Sequence, residues 1–449
     1  MTTSASSLAL APETAGASRR RRVAMIASGS RGDLQAFVAL GKGLAAAGHD
    51  VMVATHAPFE SIVRDHGLAF RRLSGDSEQF FRGIAGVALR EKWRNPRTLL
   101  SFCERFLGPF IDRFLNEALE VCREADAVLY WPFLRIGPSI AEALRIPCFG
   151  VSHYPLPYQR TGAFANSFFS PWRRMEQFPW PLAQLYNRFT YAVVEPLFWR
   201  IFRENVNRWR RESLGLKPLT GREEGRRVRA LPHLLGYSAN VLPKPKNWPR
   251  TTHVTGYWTL TDREAPVPPP GLEEFLAAGP TPVCIGFGSM VGRRPEELTQ
   301  LAVDALELAG TRGVLLTGWG GLTTTTLPPS VFQVESVSHE WLYPRVAAVV
   351  HHGGSGTTAA AVRAGVPSII TPFGFDQSLW GRRIAALGIG PEPIPQQELT
   401  VERLADAIRI ATRTESMRSR AASLATWVRR ENGMGRAVAL FNHYAEVQA

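Results

Sequence analysis

The segment that decides the fold is Val349-Val350-His351-His352-Gly353-Gly354-Ser355-Gly356-Thr357-Thr358. Its first residues are apolar and β-branched, which predicts a buried strand, and a helix is predicted from about Thr357 to Ala364. The glycines between them let the backbone approach a ligand closely, and the first N–H groups of a helix carry the positive end of its dipole. The pattern therefore predicts an anion-binding turn.

Glycine-rich turns between a strand and a helix also occur in hydrolases, in dinucleotide-binding proteins and as tight turns without a ligand. A hydrolase nucleophile elbow requires G-x-S-x-G, and around Ser355 the last glycine is replaced by Thr357. A dinucleotide-binding loop requires G-x-G-x-x-G, and the first predicted loop offers Gly29 and Gly32 without the third glycine. A tight turn without a ligand would explain the glycines but would leave the histidine and both threonines without a purpose.

Strands and helices alternate on both sides of this segment. Strands are predicted at 23–27, 51–54, 127–130, 148–151, 283–287, 313–316 and 347–350, and helices at 34–47, 57–66, 295–309 and 377–387. This alternation predicts an α/β fold with two similar halves, each built on a parallel sheet that helices cover on both faces.

Composition shifts predict the boundaries of the domains. The proline-rich residues 261–270 have the chemistry of a linker. We predict a disordered basic tail at 1–22, a first domain at 23–260 with a helical insert at about 154–211, the linker at 261–270, a second domain at 271–430, and a C-terminal helix at 431–449 that returns to the first domain.

Composition also limits the functional class. The chain has 449 residues, a net charge of +13 and 45% hydrophobic residues, which is typical of a folded protein of two or three domains. No run of about 18 apolar residues is present, which excludes an integral membrane protein. The arginine excess fits nucleic acid, an anionic membrane or an anionic small molecule, and composition alone does not choose.

The four cysteines indicate a reducing environment. Cys103, Cys122, Cys148 and Cys284 lie far apart without a C-x-x-C pair, so the spacing predicts neither a zinc site nor a disulfide framework. We therefore expect a cytoplasmic protein.

The insert at about 154–211 is rich in both aromatic residues and arginines. Helices that pack against the domain with solvated arginines would explain it, and so would an apolar substrate pocket or a surface that contacts a membrane. The arginines interleave with apolar aromatics and no nucleic-acid motif is present, which argues against a nucleic-acid binder.

Several motifs together resemble the family 1, GT-B fold glycosyltransferases. The stretch from Ser336 to Pro391 resembles the donor-binding signature of that family. The motifs that carry the resemblance there are His339–Leu342, His351–Thr358, Ala364–Pro367 and Pro372–Gln377. The motifs Gly29–Asp33, Leu40–Leu44 and Val254–Trp258 are similar to the bacterial and fungal sterol glucosyltransferases and their antibiotic-tailoring relatives.

This resemblance implies a fold and an activity. It implies two Rossmann-like, doubly wound domains facing across a cleft, with the acceptor bound by the first domain and the donor by the second. It implies inverting transfer of a hexose from a UDP- or dTDP-sugar to a hydroxyl of an apolar acceptor such as a sterol, a lipid or a polyketide-like natural product. No resident cofactor or metal is implied, and the chain has no D-x-D pair to hold one.

The resemblance also assigns the donor-binding residues. Gly288 and Ser289 would lie near the diphosphate, Val337 and Ser338 near the base, and Asp376 and Gln377 at the sugar hydroxyls. The complete predicted set is Gly288, Ser289, Val337, Ser338, His352, Gly353, Gly354, Gly356, Thr357, Thr358, Asp376 and Gln377. Asp376 would alternatively cap the helix that follows it.

Asp33 is the predicted general base, because its carboxylate would take the proton of the acceptor hydroxyl. The alternative is that Asp33 caps the helix at 34–47. Ala36 stands where relatives usually have a proline.

The predicted acceptor-binding residues are His153, Trp172, Phe178 and Trp180. A protein of this fold that binds a nucleotide sugar or a lipid without catalysis remains the alternative function, and peripheral contact with an anionic membrane is a further expectation.

Overall fold

The structure is a computed structural model that describes residues 19–76, 110–156, 158–167, 179–260, 268–288, 295–318 and 327–448. Residues 1–18 of the predicted tail, most of the predicted linker, Cys103, Trp172, Phe178 and Ser289 lie outside the described residues. Within the described ranges the chain forms two parallel sheets, each covered by helices. The predicted α/β fold class is confirmed.

The first sheet has seven strands in the order β3-β2-β1-β4-β5-β6-β7. All of its pairings are parallel, and Val23 at the centre lies opposite Val51 on one side and Ala127 on the other. The strands are β1 Arg22–Ile26, β2 Asp50–His56, β3 Ala69–Leu73, β4 Ala127–Tyr130, β5 Cys148–Ser152, β6 His233–Leu235 and β7 Thr252–Val254. The helices of this half are α1 Arg31–Ala46, α2 Glu60–Asp65, α3 Ile111–Arg123, α4 Gly137–Leu144, α5 Trp180–Glu212 and α6 Gly221–Ala230.

The second sheet has five parallel strands in the order β10-β9-β8-β11-β12. The strands are β8 Val283–Gly286, β9 Gly313–Leu316, β10 Val331–Val334, β11 Ala348–His351 and β12 Ser368–Ile370. The helices that follow the first half in the chain are α7 Leu272–Ala277, α8 Pro295–Ala309, α9 His339–Leu342, α10 Ser355–Ala364, α11 Gln377–Ala386, α12 Val401–Arg413, α13 Glu415–Arg429 and α14 Gly433–Val447.

The predicted strands are confirmed to within one or two residues at their ends. Both sheets are covered on both faces, which explains why their central strands are continuous apolar runs such as the fully buried β4. The helix predicted at 57–66 is instead a 3-10 turn, Ala57–Phe59, followed by α2. Pro58 lies in that first turn, where its missing N–H breaks no helical hydrogen bond.

The last helix, α14, packs on the first half of the chain. Phe441 is fully buried and lies with its ring 5.2 Å from that of His49 and 5.1 Å from that of Phe149 in β5. The His49 Nε2 and Asn442 Oδ1 atoms are 2.9 Å apart. No helix in the described ranges combines the length and apolar character that spanning a bilayer requires.

Two segments that connect the halves touch each other where they cross. Gly256, just after β7, has φ +113°, and a Cβ atom on it would lie 3.0 Å from the Cα of Gly433 at the start of α14. The neighbouring Glu431 Oε1 accepts hydrogen bonds of 2.7 Å from Ser238 Oγ and from Asn240 Nδ2. The crossing therefore depends on two glycines and one carboxylate.

We expect Gly433→Ala to lower the free energy of unfolding by about 2 kcal/mol, because overpacking against rigid atoms costs this much. The new Cβ would lie 2.6 Å from the backbone oxygen of Tyr257, which cannot move without shifting the crossing. Urea denaturation measures the change.

The matched control is Gly43→Ala in α1, because its Cβ would meet the flexible end of the Met434 side chain. Alanine also favours a helix interior by about 1 kcal/mol over glycine, so we expect a change near zero. Equal losses in the two variants would show that the backbone contact is not the constraint.

Candidate active site

The carboxyl ends of four strands meet at one cleft between the sheets. The turn after β1 leads through Ser30 into α1, and His153 follows β5 directly. The turn after β11 leads through His352 into α10, and Asp376 lies after β12. Ligands of open parallel sheets bind at this edge, so these side chains define the candidate site.

A hydrogen bond joins the two sides of the cleft. The Ser355 hydroxyl, on the first residue of α10, donates to the backbone oxygen of His153 at 2.6 Å. Both residues are buried. This contact places the N-terminus of α10 directly against the residue that follows β5.

Asp33 is part of a capping box at the start of α1. Its Oδ2 accepts from both the backbone N–H and the hydroxyl of Ser30, each at 2.7 Å. A Cβ at Gly29 would lie 2.7 Å from the same oxygen, so glycine is required there. Ser30 is the N-cap residue and Asp33 stands three residues later, inside the helix, so Asp33 is not the N-cap that one alternative expected, although its side chain completes the capping box. This box fixes the turn even though Ala36 replaces a proline.

The second oxygen of Asp33 faces the cleft. Its Oδ1 lies 3.5 Å from Nε2 of His153, which is too long for a strong hydrogen bond. Burial lowers the pKa of His153, while the nearby Asp33 charge opposes that shift. His153 is therefore a neutral imidazole at neutral pH, and capping the helix leaves one carboxylate oxygen of Asp33 available for a ligand.

Asp376 is partly buried and lies close to Asp33. Its pKa is raised to about 7, because burial and the Asp33 charge raise it while a 2.8 Å hydrogen bond from Trp380 Nε1 to Oδ2 lowers it. Asp376 occupies the N-cap position of α11, but its side chain makes no capping hydrogen bond. The alternative that it caps α11 is therefore wrong.

Gln377 supports the loop that carries Asp376. Its Oε1 accepts from the backbone N–H groups of Phe373 at 2.7 Å and Gly374 at 3.2 Å. The amide oxygen is thus committed to the backbone, and the NH₂ group is the part of this side chain left for another partner. Phe375 lies in the left-handed region at φ 55°, which shows how tightly this loop turns.

The N-terminus of α10 has no side-chain cap. Its N-cap residue is Gly354, and the first helical bond runs from the Thr358 N–H to the Gly354 oxygen at 2.9 Å. Gly356, in the first turn, is exposed and has open space where a Cβ would stand, so a ligand can approach the first turn of α10 there. Thr358 itself is fully buried, which makes its side chain part of the helix packing.

Glycines on two loops make room for His352. A Cβ at Gly288, where φ is +65°, would lie 3.2 Å from the imidazole, and a Cβ at Gly354 would clash with Nε2. Burial lowers the pKa of His352 to about 4, with His339 adding to the shift, and its Nδ1 has no partner among the described residues. The imidazole is therefore neutral at neutral pH and offers an N–H group rather than a charge.

Other predicted donor residues lie nearby. Val337 packs against the apolar cluster that includes Leu342 and Val349. Ser338 is the N-cap residue of α9, and its side chain makes no capping hydrogen bond. Gly353 has φ +90°, and its N–H donates to Nδ1 of His351 at 3.1 Å, which shapes the turn. Trp180 is 64% exposed at the first residue of α5, so it does not share the buried site of Asp33 and His153.

Sequence reasoning missed three residues of this site. Ser30 completes the capping box, Ser355 crosses the cleft, and Trp380 holds Asp376. The spacing of Asp376 and Trp380, four residues apart at the start of a predicted helix, was a usable signal. No group of three or more His, Cys, Asp or Glu side chains in the described ranges has the arrangement of a metal site.

Comparisons with known proteins agree with this geometry. The model of the glycosyltransferase family 28 N-terminal domain matches residues 23–156, and that of the erythromycin biosynthesis protein CIII-like C-terminal domain matches 318–431. A sterol 3-beta-glucosyltransferase of Aspergillus clavatus is 36% identical over 429 residues, covering 93% of this chain. The chain spans 29% of that relative's length.

Solved structures share the fold over almost the whole chain. The glycotransferase of kitacinnamycin has a TM-score of 0.68 at 18% identity and covers 95% of this chain and 99% of its own. The Streptomyces sp. SF2575 glycosyltransferase SsfS6, complexed with thymidine diphosphate, has a TM-score of 0.61 at 21% identity and covers 94% of this chain and 100% of its own.

The chain has the GT-B fold of these solved glycosyltransferases, and its two halves match the two family models. It resembles the sterol 3-beta-glucosyltransferases in sequence and the antibiotic-tailoring glycosyltransferases in fold. The predicted resemblance is therefore confirmed.

Asp376→Asn tests the protonation state of the buried carboxyl. With a pKa of about 7, folded Asp376 holds a proton that the unfolded chain, with its pKa of 3.8, releases. Because the folded form holds this proton and the unfolded form does not, the unfolding free energy of the wild type falls as the pH rises from about 4 to about 7. Asparagine has no such proton, so the variant lacks this fall. We expect the unfolding free energy of the variant, relative to the wild type, to increase between about pH 5 and pH 8.

Urea denaturation at both pH values measures this difference. Asparagine keeps an oxygen for the Trp380 N–H, so the hydrogen bond is not lost with the charge. A difference between the two proteins that stays constant with pH would mean that Asp376 is ionised throughout the range.

Proposed function

We propose that this chain is an inverting, metal-independent glycosyltransferase that moves a hexose from a UDP- or dTDP-sugar to a hydroxyl of an apolar acceptor. The observation that carries the proposal is the uncapped N-terminus of α10, which lies against the β5 edge beside Asp33. The names of the relatives support a sterol acceptor and a glucose donor, and the thymidine diphosphate in the SsfS6 complex supports a nucleoside diphosphate.

The diphosphate of the donor would lie at the start of α10. The first N–H groups of α10 have no side-chain cap, Gly356 in its first turn is exposed, and the helix dipole favours an anion there. As the bond to the sugar breaks, negative charge develops on the departing diphosphate, and these fixed donors stabilise it. Gly288 and Ser289 on the facing loop would complete the enclosure.

His352 would donate a hydrogen bond to the diphosphate. The imidazole is neutral in the unliganded chain, so it provides an N–H group rather than a charge. A bound diphosphate brings negative charge close to the ring and would raise the pKa of His352. At a pH near the pKa that His352 has in the complex, binding of the donor would therefore be accompanied by uptake of protons.

The hexose would lie between Asp376 and Gln377. A carboxyl whose pKa is about 7 can both accept hydrogen bonds from sugar hydroxyls and donate one to them. Gln377 would contribute its NH₂ group, since its oxygen is held by the loop. Val337 and Ser338 would lie beside the base.

Asp33 would act as the general base. Its Oδ1 is not used by the capping box and lies 3.5 Å from His153 Nε2, so an acceptor hydroxyl could donate a hydrogen bond to it. Removal of that proton lets the oxygen attack C1 of the sugar from the face opposite the diphosphate, which inverts the configuration. His153 would border the acceptor, together with Tyr154, whose ring lies edge-on to it at 4.9 Å.

Calorimetric titration with UDP and dTDP tests the donor site. We expect binding that EDTA does not change, and a loss of about ten- to a hundredfold in His352→Ala, because a hydrogen bond to a charged group is worth about 1.5–3 kcal/mol. His443→Ala is the matched control, since that histidine is exposed on α14. If the wild type binds neither nucleotide, the proposed donor site is wrong.

Asp33→Asn tests catalysis separately from binding. We expect transfer from UDP-glucose or dTDP-glucose to a sterol to fall by about 10²- to 10⁴-fold, the usual contribution of a general base. Nucleotide binding should stay at the wild-type level, and Asp112→Asn, at an exposed carboxylate that pairs with Arg208, should leave both unchanged.

The remaining outcomes separate the alternatives. Full transfer by Asp33→Asn would rule out this residue as the base while keeping the transferase. A wild type that binds nucleotide but transfers sugar to no sterol, lipid or polyketide would favour a non-catalytic binding protein of the same fold.

A further inference from the structure

Helix α5 carries an unusual exposed surface in its first half. Leu182, Leu185, Phe189 and Val193 are 49%, 66%, 56% and 38% exposed. They follow one another at intervals of three or four residues, so they form one stripe along the helix, which we call the α5 stripe. Trp180, also exposed, begins the same helix.

The exposure of this stripe is not due to a loosely packed helix. The opposite face of α5 is buried along its length by residues such as Tyr191, Val194 and Phe202. A loop from the cleft also packs on the first half, where the side-chain amide of Asn187 donates to the Gly162 oxygen at 2.9 Å. The helix is therefore firmly placed, and the stripe faces outward from a fixed position.

Basic residues continue the same face in the second half of α5. Arg200 and Arg203 lie about three and four turns after Phe189, which places them on the face of the stripe. Both are exposed, and neither forms an ion pair with a described residue. Glu204 is exposed beside them, so the local excess is of positive charge, as it is for the chain, with a net +13.

We propose that the outer face of α5 docks on an anionic lipid bilayer. A helix that lies in a membrane interface buries leucine and phenylalanine in the acyl boundary and places arginines at anionic headgroups. The α5 stripe and the two arginines present both features on one face. Trp180 stands at the apolar end, and tryptophan favours the level of the headgroups.

The bilayer fits better than a second protein. Apolar and basic halves follow each other along a single helix face, and a bilayer offers acyl chains and anionic phosphates along its whole surface. The loop at 158–167, which begins shortly after His153 at the cleft, packs on the inner face of the same helix through Asn187. If the proposed function holds, docking of the outer face would bring the half of the chain that carries Asp33 to a bilayer in which an apolar acceptor is dissolved.

Vesicle co-sedimentation of the full chain tests the proposal without measuring activity. We expect binding to phosphatidylcholine vesicles that contain phosphatidylserine and weak binding to phosphatidylcholine alone. The double variant Leu185→Gln/Phe189→Gln should lose roughly tenfold or more in partition, because two apolar side chains no longer enter the bilayer. Arg200→Gln/Arg203→Gln should lose a similar factor, and only with phosphatidylserine present.

The matched control is Ile410→Gln/Trp427→Gln. It removes two apolar side chains from α12 and α13 that are 47% and 61% exposed, similar to Leu185 and Phe189. It should bind like the wild type, and thermal melts should show all variants folded, since exposed substitutions cost little stability. Three results would overturn the proposal. These are a wild type that stays in the supernatant, a control that loses as much as the α5 variants, or gel filtration showing a dimer that the α5 variants convert to a monomer.

Discussion

The hydrogen bond from the Ser355 hydroxyl to the His153 oxygen sets the distance between the two halves of this protein. It brings the positive end of α10 against the edge of the first sheet where Asp33 stands. The pKa shift of Asp376 also involves both halves, because the charge of Asp33 in the first half adds to the effect of burial on that carboxyl. The chemistry of the cleft is thus a property of the interface rather than of either half.

The sequence predicts the scaffold well because the scaffold depends on local patterns. Buried parallel strands must be continuous apolar runs, so β4 and β9 are found at the predicted residues, and the glycine-rich turn before α10 is recognisable from its spacing. Asp33 was chosen as the candidate base from its position in the first loop, and its catalytic role stays a prediction. Its partner Ser30 follows the capping-box pattern and could have been predicted with it.

Features that depend on burial by distant residues were not predictable in this way. Whether His352 carries a charge depends on the loop at Gly288 and on His339, which lie elsewhere in the chain. Gln377 was not predictable for a different reason. Its amide oxygen is taken by the backbone of its own loop, and the residue types alone do not specify how that loop turns. The aromatic and basic composition of α5 was visible, but only the packing of its inner face shows which of those side chains point outward.

The contact of Gly256 with Gly433 has a mechanical consequence. Both connections between the halves pass through this point, and Glu431 ties the second connection to Ser238 and Asn240 beside it. Two segments that touch without side chains between them cannot slide past each other at this point. A relative motion of the halves that keeps this contact is therefore a rotation about the crossing, and it displaces facing residues by an amount that grows with their distance from it.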